Sequence, residues 1–195
     1  MISVALCTYN GERYIEEQVS SILSQSKKVD EIIVCDDCSL DRTIEIIKNI
    51  SESNKDVDIR IYENESNLGV CANFEKAVCL CNGDIIFLSD QDDVWMPNKV
   101  ECIVAWFENN PDKSVVFTDA DLIDSEGKFS DVTDTLWCHV GFSSKIQKQF
   151  DDGYSFELVA NRYRCTGATM AMRKSFVFDF SNYCKNGVYH DATIA

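Results

Sequence analysis

Positive charge is scarce in this chain. Its 195 residues hold 18 Lys and Arg against 33 Asp and Glu, a formal net charge of −15. That balance argues against a nucleic-acid binder and against adhesion to an anionic membrane by general charge attraction. Long hydrophobic runs are also missing. Nothing approaches the roughly 18 apolar residues that a bilayer span needs, so no span is expected in these residues. The first residues lack the basic segment and apolar core of a secretory leader, which leaves the triplets Asn49-Ile50-Ser51 and Asn64-Glu65-Ser66 uninformative as glycosylation acceptors. No internal repeat or low-complexity linker divides the chain. One domain with a full core is therefore expected, and 45% hydrophobic content suits it.

Cysteine, by contrast, is plentiful, with ten in the chain. Without a secretory route, and with Cys7 and Cys35 inside strand-like runs, they read as reduced thiols of a cytosolic protein. The spacings Cys35-x-x-Cys38 and Cys79-x-Cys81 would suit zinc, but no His-x3–5-His partner accompanies them and two aspartates stand between Cys35 and Cys38.

Hydrophobic patterning alternates between two periods. Ile2–Cys7 is an apolar run expected as a buried strand, followed by the polar turn Thr8-Tyr9-Asn10-Gly11. From Glu12 to Gln25, Ile15, Val19, Ile22 and Leu23 recur at helical spacing, predicting one buried and one polar face. Glu31–Val34 is the next strand, and Asp36-Asp37-Cys38-Ser39 its terminal loop. Ser39 is the expected N-cap of a helix buried through Ile44, Ile47 and Ile50. Asp58–Tyr62 alternates as a half-exposed strand, and the loop from Asn64 to Gly69 leads to a helix carrying Phe74, Ala77, Val78 and Cys81. A helix from Pro97 to Asn110, stopped by Pro111, and a strand over Ser114–Thr118 follow. Beyond Asp119 the pattern weakens. A short strand and turn are expected over 121–129, irregular or helical chain over 132–153, a helix over 155–163, a strand over 166–172 and a helix over 174–183. Strands alternating with helices imply a mainly parallel sheet covered on both faces, with its strand-end loops along one edge.

The most informative stretch runs from Asp84 to Pro97. A short buried-strand pattern, Ile85–Leu88, passes into Ser89-Asp90-Gln91-Asp92-Asp93 before Pro97 opens a helix. Carboxylates this close repel one another unless a cation neutralises them, and oxygen ligands of this kind suit Mg²⁺ or Mn²⁺ better than zinc. The carboxyl end of a buried strand is also where open α/β sheets place ligands.

Taken in order, Val4-Ala5-Leu6-Cys7-Thr8-Tyr9-Asn10-Gly11, Glu31-Ile32-Ile33-Val34-Cys35-Asp36-Asp37-Cys38-Ser39, Asn67-Leu68-Gly69, Ser89-Asp90-Gln91-Asp92-Asp93-Val94-Trp95, Gly167 and His190-Asp191 resemble the inverting nucleotide-sugar glycosyltransferases of family 2. The resemblance is nearest to the bacterial branch that includes rhamnosyltransferase-like enzymes of polysaccharide synthesis. It covers nearly the whole chain and implies a GT-A fold: a Rossmann-like α/β domain with a mainly parallel sheet flanked by helices and a smaller mixed sheet region towards the C-terminus. Residues 1–118 would form the nucleotide-binding half and 119–195 the acceptor-side half of a single catalytic domain. Relatives usually continue past the point, four residues after Asp191, where this sequence stops, so an excised catalytic core is expected.

The resemblance also implies roles. Thr8, Tyr9 and Glu12 would lie beside the nucleotide. Asp37, with Asp36, would accept the imide N–H of a uracil or thymine ring, a proton that cytosine lacks, so a UDP- or dTDP-sugar is the expected donor. Asn67 and Gly69 would admit the nucleotide or ribose close to the backbone, with Asn73, Asp90 and Gln91 adding polar contacts. Asp90 and Asp92 match the Asp-x-Asp element, Asp92 being the direct ligand of Mg²⁺ or Mn²⁺. Asp93, Trp95, Gly167 and His190 would face the donor sugar or a saccharide or lipid-linked saccharide acceptor. Asp191 matches the general base, oriented by His190. The family often has glycine where Cys38 stands, which puts the geometry of that loop in question. Two other readings compete: a haloacid-dehalogenase-type phosphatase with Asp90 as nucleophile, and a non-catalytic nucleotide-sugar-binding core.

Overall fold

The computed structural model describes residues 1–129, 135–149 and 166–177. Five strands lie close to the runs expected of them: β1 (Ile2–Thr8), β2 (Glu31–Asp36), β3 (Asp58–Glu63), β4 (Ile85–Ser89) and β5 (Val115–Phe117). Between them run α1 (Ile15–Leu23), α2 (Thr43–Ser53), α3 (Val70–Leu80) and α4 (Lys99–Asn109). Two short helices, α5 (Leu136–His139) and α6 (Ser144–Gln149), fall in the stretch expected to be irregular or helical. The last strand, β6 (Met170–Arg173), begins later than the pattern suggested, because a 3-10 turn occupies Gly167–Thr169. Residues 121–129 form only an isolated antiparallel bridge, Ile123 to Phe129, around a turn at Asp124–Gly127. The helix expected over 155–163, most of that over 174–183, and the pair His190-Asp191 lie outside the described residues.

All six strands join one sheet in the order β3-β2-β1-β4-β6-β5. β1 to β4 pair in parallel, and β6 is antiparallel to both β4 and β5. The expected smaller mixed region is thus, among the described residues, an extension of the main sheet. From β1 the chain builds outward through β2 to β3, then returns to lay β4 on the other side of β1. That reversal makes the carboxyl ends of β1 and β4 a topological switch point, where two neighbouring loops diverge and leave a crevice.

Both faces of the sheet are covered, which is why β1, β2 and β4 read as continuous apolar runs. Val4, Leu6, Ile32, Val34 and Phe87 face a core shared with α1, α2 and α4, including Ile15, Ile22, Ile47, Val100 and Phe107. Ala5, Cys7, Ile33, Cys35, Ile86 and Leu88 face the other core with Phe74, Ala77 and Val78 of α3 and Met170 and Met172 of β6. Eight cysteines among the described residues are free thiols. Burial drives Cys7 well up, Cys35 up to about 11 and Cys81 up to about 12, so they stay protonated apolar fillers. Among the described residues no helix is long and apolar enough to cross a membrane.

At the amino end of the sheet Glu31 is fully buried. It accepts from Ser3 Oγ at 2.5 Å, from Asn82 N at 2.5 Å and from Asn82 Nδ2 at 3.2 Å, and it ion-pairs with Arg60. One carboxylate thereby satisfies a backbone N–H on entry to β4 and spans β1, β2 and β3. Glu31→Ala leaves these donors without an acceptor and is expected to cost about 3 kcal/mol, read as a lower urea midpoint at unchanged slope.

Candidate functional site

The loops leaving β1, β2, β3 and β4 meet at the carboxyl edge of the sheet, and side chains rather than regular structure hold them there. Loops one and two are zipped together: Asn10 N donates to Ser39 Oγ, Leu40 N to Asn10 Oδ1, Gly11 N to Thr43 Oγ1, Glu12 N to Asp41 Oδ2 and Arg42 N to Glu12 Oε2. Ser39 therefore is not the N-cap of α2, which starts at Thr43. Its hydroxyl donates instead to Asp36 Oδ1 at 2.5 Å, while Asp41 takes the Thr43 N–H at 3.0 Å.

The paired aspartates after β2 divide their work. Asp36 is buried, and its carboxylate accepts from Thr8 Oγ1 at 2.7 Å, from Ser39 Oγ at 2.5 Å and from Ser39 N at 2.8 Å. Thr8 and Asp36, expected beside the nucleotide, thus face each other inside the protein. Asp37 accepts from Leu68 N at 2.7 Å, Asn64 Nδ2 at 2.8 Å and Gly69 N at 2.9 Å, fastening loop three to loop two. Only one of these bonds falls on Oδ2, so that oxygen retains acceptor capacity. Gly69 has φ of 79°, where a side chain would be strained, and precedes α3. Asn73 is buried, with Nδ2 donating to Cys35 O at 2.8 Å and Oδ1 accepting from Asn64, so it supports the loop from beneath. Cys38 takes φ of 67°: the loop keeps a glycine-like geometry although the residue is not glycine, with the thiol donating to Asn64 O at 3.1 Å.

The acid loop is pinned by one face of α1. Gln18 Nε2 donates to Ser89 Oγ at 2.6 Å and Asp90 O at 3.2 Å, Ser21 Oγ accepts from Trp95 N at 3.0 Å, and Gln25 bonds Met96 O and Val100 N. Gln18 on α1 and Gln25 just beyond its end are both buried, so neither is on the solvent face that its polarity suggested. Gln91 turns back to loop one. Its Oε1 accepts from Tyr9 N at 2.8 Å and its Nε2 donates to Tyr9 O at 3.1 Å, as a neighbouring strand would. A Cβ on Gly11 would lie 2.3 Å from that Oε1, so this close approach needs a glycine. Trp95 is buried at 4% exposure, its ring 5.5 Å from Phe87, and lies under the loop rather than on a ligand-facing surface.

What stays available is acidic. Asp92 is exposed, and Asp93 Oδ2 is buried without a hydrogen-bond partner. Both line a cavity of about 150 Å³ with Arg13, Tyr14, Glu17 and the turn at 124–127, which Arg13 Nη2 reaches through Ser125 O at 2.7 Å. Burial, then the Asp92 charge, push the Asp93 carboxyl up, while Lys99 opposes them. A larger cavity of about 490 Å³ between α1 and α2 touches none of the expected site residues. Among the described residues no three His, Cys, Asp or Glu form a ready-made metal cage. This donor set fits a hard cation such as Mg²⁺, which binds through one or two carboxylates and completes its shell with substrate phosphates and water.

The chain that carries these loops has counterparts among known sequences. The family model described as Glycosyl transferase family 2 matches residues 3–178. The chain belongs to that family. Putative glycosyltransferase EpsE of Bacillus subtilis is 36% identical over 126 residues, 65% of this chain and 45% of that protein. The Escherichia coli protein named UDP-Glc:alpha-D-GlcNAc-diphosphoundecaprenol beta-1,3-glucosyltransferase WfgD is 31% identical over 110 residues, 56% of this chain and 42% of its own length. The chain spans less than half the length of these curated relatives. Staphylococcus aureus TarS 1–349, solved in complex with UDP, matches the fold with a TM-score of 0.71 at 18% identity, over 99% of this chain and 53% of that one. Mannosyltransferase PcManGT from Pyrobaculum calidifontis, solved with GDP-Man and Mn²⁺, matches with a TM-score of 0.68 at 18% identity, over 98% and 49%. The GT-A fold of this family 2 domain is that of these neighbours.

Lys99, at the start of α4, was not singled out by sequence pattern. Its Nζ donates to Ala168 O at 2.9 Å and lies 4.2 Å from the Trp95 ring centroid. The available signal was a lone lysine six residues beyond Asp93, next to a buried helix face. Burial pushes its ammonium down to about 8, with Asp93 and then Asp90 opposing that shift. The folded chain therefore releases this proton first, and between pH 8 and the unfolded value near 10.5 the unfolded chain holds the extra proton. The cost of burying the charge is fully present below pH 8 and fades as pH rises through that window. Lys99→Met is expected to gain more stability over wild type at pH 7.5 than at pH 9.5 in urea titrations, a difference that cancels the thiols titrating in the same range.

The Gln91 clasp has its own test. Gly11→Ala and Gln91→Ala break the same pair of bonds, so the double variant should lose about 1 kcal/mol less than the sum of the singles. Additive losses in chemical denaturation would show that the two residues act separately.

Proposed function

We propose that this domain is a metal-dependent inverting glycosyltransferase that moves a sugar from a UDP- or dTDP-sugar to a saccharide or lipid-linked saccharide acceptor. The observation that carries the reading is the placement of an exposed Asp92 and an unpartnered Asp93 oxygen beside the loop bearing Tyr9, across a topological switch point. The neighbours solved with UDP and with GDP-Man support a nucleotide-sugar donor. The remaining acceptor capacity of Asp37 Oδ2 favours uracil or thymine, whose imide N–H it would accept, with Tyr9, Asn67 and Gly69 around the base and ribose. The names of WfgD and of the TarS complex, which specify UDP-Glc and UDP, agree with that choice, although PcManGT holds GDP-Man.

Asp92, with Asp90, is the pair that would hold Mg²⁺ or Mn²⁺, which when bound stabilises charge on the diphosphate leaving group. Asp93 would accept a hydroxyl of the donor sugar, and the turn at Gly167 would border the acceptor side. Asp191, matching the family's base, takes the proton of the acceptor hydroxyl as its oxygen bonds to the anomeric carbon. The bond from that carbon to the diphosphate breaks on the opposite face, so the configuration inverts, with His190 orienting Asp191. Synthesis of bacterial cell-surface polysaccharide, at the cytoplasmic face of the membrane in the whole protein, is the process this chemistry would serve. A phosphatase reading loses ground because the acid strand is fourth in chain order and the family model spans it.

Calorimetry with UDP and dTDP should give affinity that tightens with Mn²⁺, and that dependence should vanish in Asp92→Ala. Asp191→Asn should bind donor as wild type does while transfer falls about 10²- to 10⁴-fold. Full transfer by Asp191→Asn removes the base, and metal-independent binding removes the role of Asp92.

A further inference from the structure

Lys99 is an expensive residue to keep where it is. It opens α4, where the partial positive charge of the helix N-terminus disfavours a cation, and it is partly buried. Among the described residues it forms no ion pair within 4.0 Å. Its charge is balanced instead by the Trp95 face, the Ala168 carbonyl and the fields of Asp93 and Asp90. These partners come from two different parts of the site. Trp95, Asp93 and Asp90 belong to the loop after β4, whereas Ala168 belongs to the turn that opens β6. That turn lies next to β4 in the sheet but 69 residues away from Lys99 in the chain.

We propose that Lys99 is a positioning residue for sugar transfer, its ammonium bridging Trp95 of the acid loop to the Ala168 carbonyl so that Asp93 is held in register with the turn at Gly167. This rests on the glycosyltransferase reading above, in which Asp93 meets the donor sugar and the Gly167 turn the acceptor. A positioned cation has a cost that an ordinary loop support lacks. Fixed near Asp90 and Asp93, it repels an arriving divalent cation, so removing it should not weaken metal binding even though it misaligns the reacting groups.

Lys99→Met keeps the apolar stem against Trp95 and removes both the charge and the donor. The probes are Mn²⁺ with UDP, followed by calorimetry, and a panel of UDP- and dTDP-sugars, followed by nucleotide release. The variant should bind Mn²⁺ and UDP as tightly as wild type or up to about 5-fold more tightly. Its turnover at saturating donor should fall about 10- to 100-fold, with donor KM little changed. Lys99→Arg, which retains charge and donors, should recover part of the turnover and serves as the second variant if the methionine protein does not fold. Unchanged turnover in Lys99→Met overturns the proposal, as does a loss of metal affinity in step with turnover, the signature of a loop that has merely collapsed. With Lys99→Arg alone, turnover and metal affinity that fall together overturn it too. If wild type itself neither binds UDP or dTDP with Mn²⁺ nor releases nucleotide from any sugar in the panel, the glycosyltransferase reading fails and takes this assignment with it. Wild-type release with an insensitive Lys99 isolates the failure to Lys99.

Discussion

A backbone that leaves a buried parallel strand must find partners for its polar groups, and at this sheet edge those partners are buried side chains. Asp36, Asp37, Gln18, Gln25 and Asn73 are all at or below 5% exposure, and each bonds main chain: Asp36 the Ser39 N–H of its own loop, Asn73 the Cys35 carbonyl of β2, and Asp37, Gln18 and Gln25 the backbone of a neighbouring loop. Burying such groups is favourable only while every bond is made, because an unpaired amide or carboxylate in the interior costs more than the bond returns. The network therefore resists partial rearrangement. That suits a site whose ligand-facing groups have to stand in fixed relation before a substrate arrives.

The same constraint explains which acids remain available. Five carboxylates cluster around the crevice, Asp36, Asp37, Asp90, Asp92 and Asp93. Asp36 is spent on the chain and Asp37 nearly so, while Asp92 faces solvent and Asp93 keeps one oxygen without a partner. Repulsion among them is reduced from within by Lys99 and from below by hydrogen-bond donors, so the loop holds its shape without requiring neutralisation of every acid.

Periodicity made the sheet legible because both of its faces are covered: short, mostly apolar runs such as Ile2–Cys7, broken only by Ser3, and Ile85–Leu88 fit a doubly buried strand. Motif order likewise pointed to Asp90–Asp93 and to the Asp37 loop. What patterning could not see was polar burial. Gln18 and Gln25 count as solvent-facing in any reading that equates polarity with exposure, and Asp36, Thr8 and Asn73 count as ligand contacts when they sit in a motif, yet tertiary partners turn all five inward. Trp95 is buried as well. Its place in the motif says nothing of the Phe87 ring packed against it. The antiparallel β6 was equally hidden, since strand order depends on long-range pairing that local pattern does not encode.

The Asp-x-Asp spacing itself acquires a physical sense from Gln91. Two acids separated by one residue leave that intervening side chain free for a task other than ligand binding, and here it supplies both halves of an amide pairing to the Tyr9 peptide. Such a pairing needs a partner loop with no side chain in the way, and Gly11 meets that need 80 residues earlier in the chain. The acids are therefore registered against the loop after β1 through the residue between them. A shift of either loop would break two good hydrogen bonds at once, which makes the spacing between the acids and the loop after β1 a property of the fold.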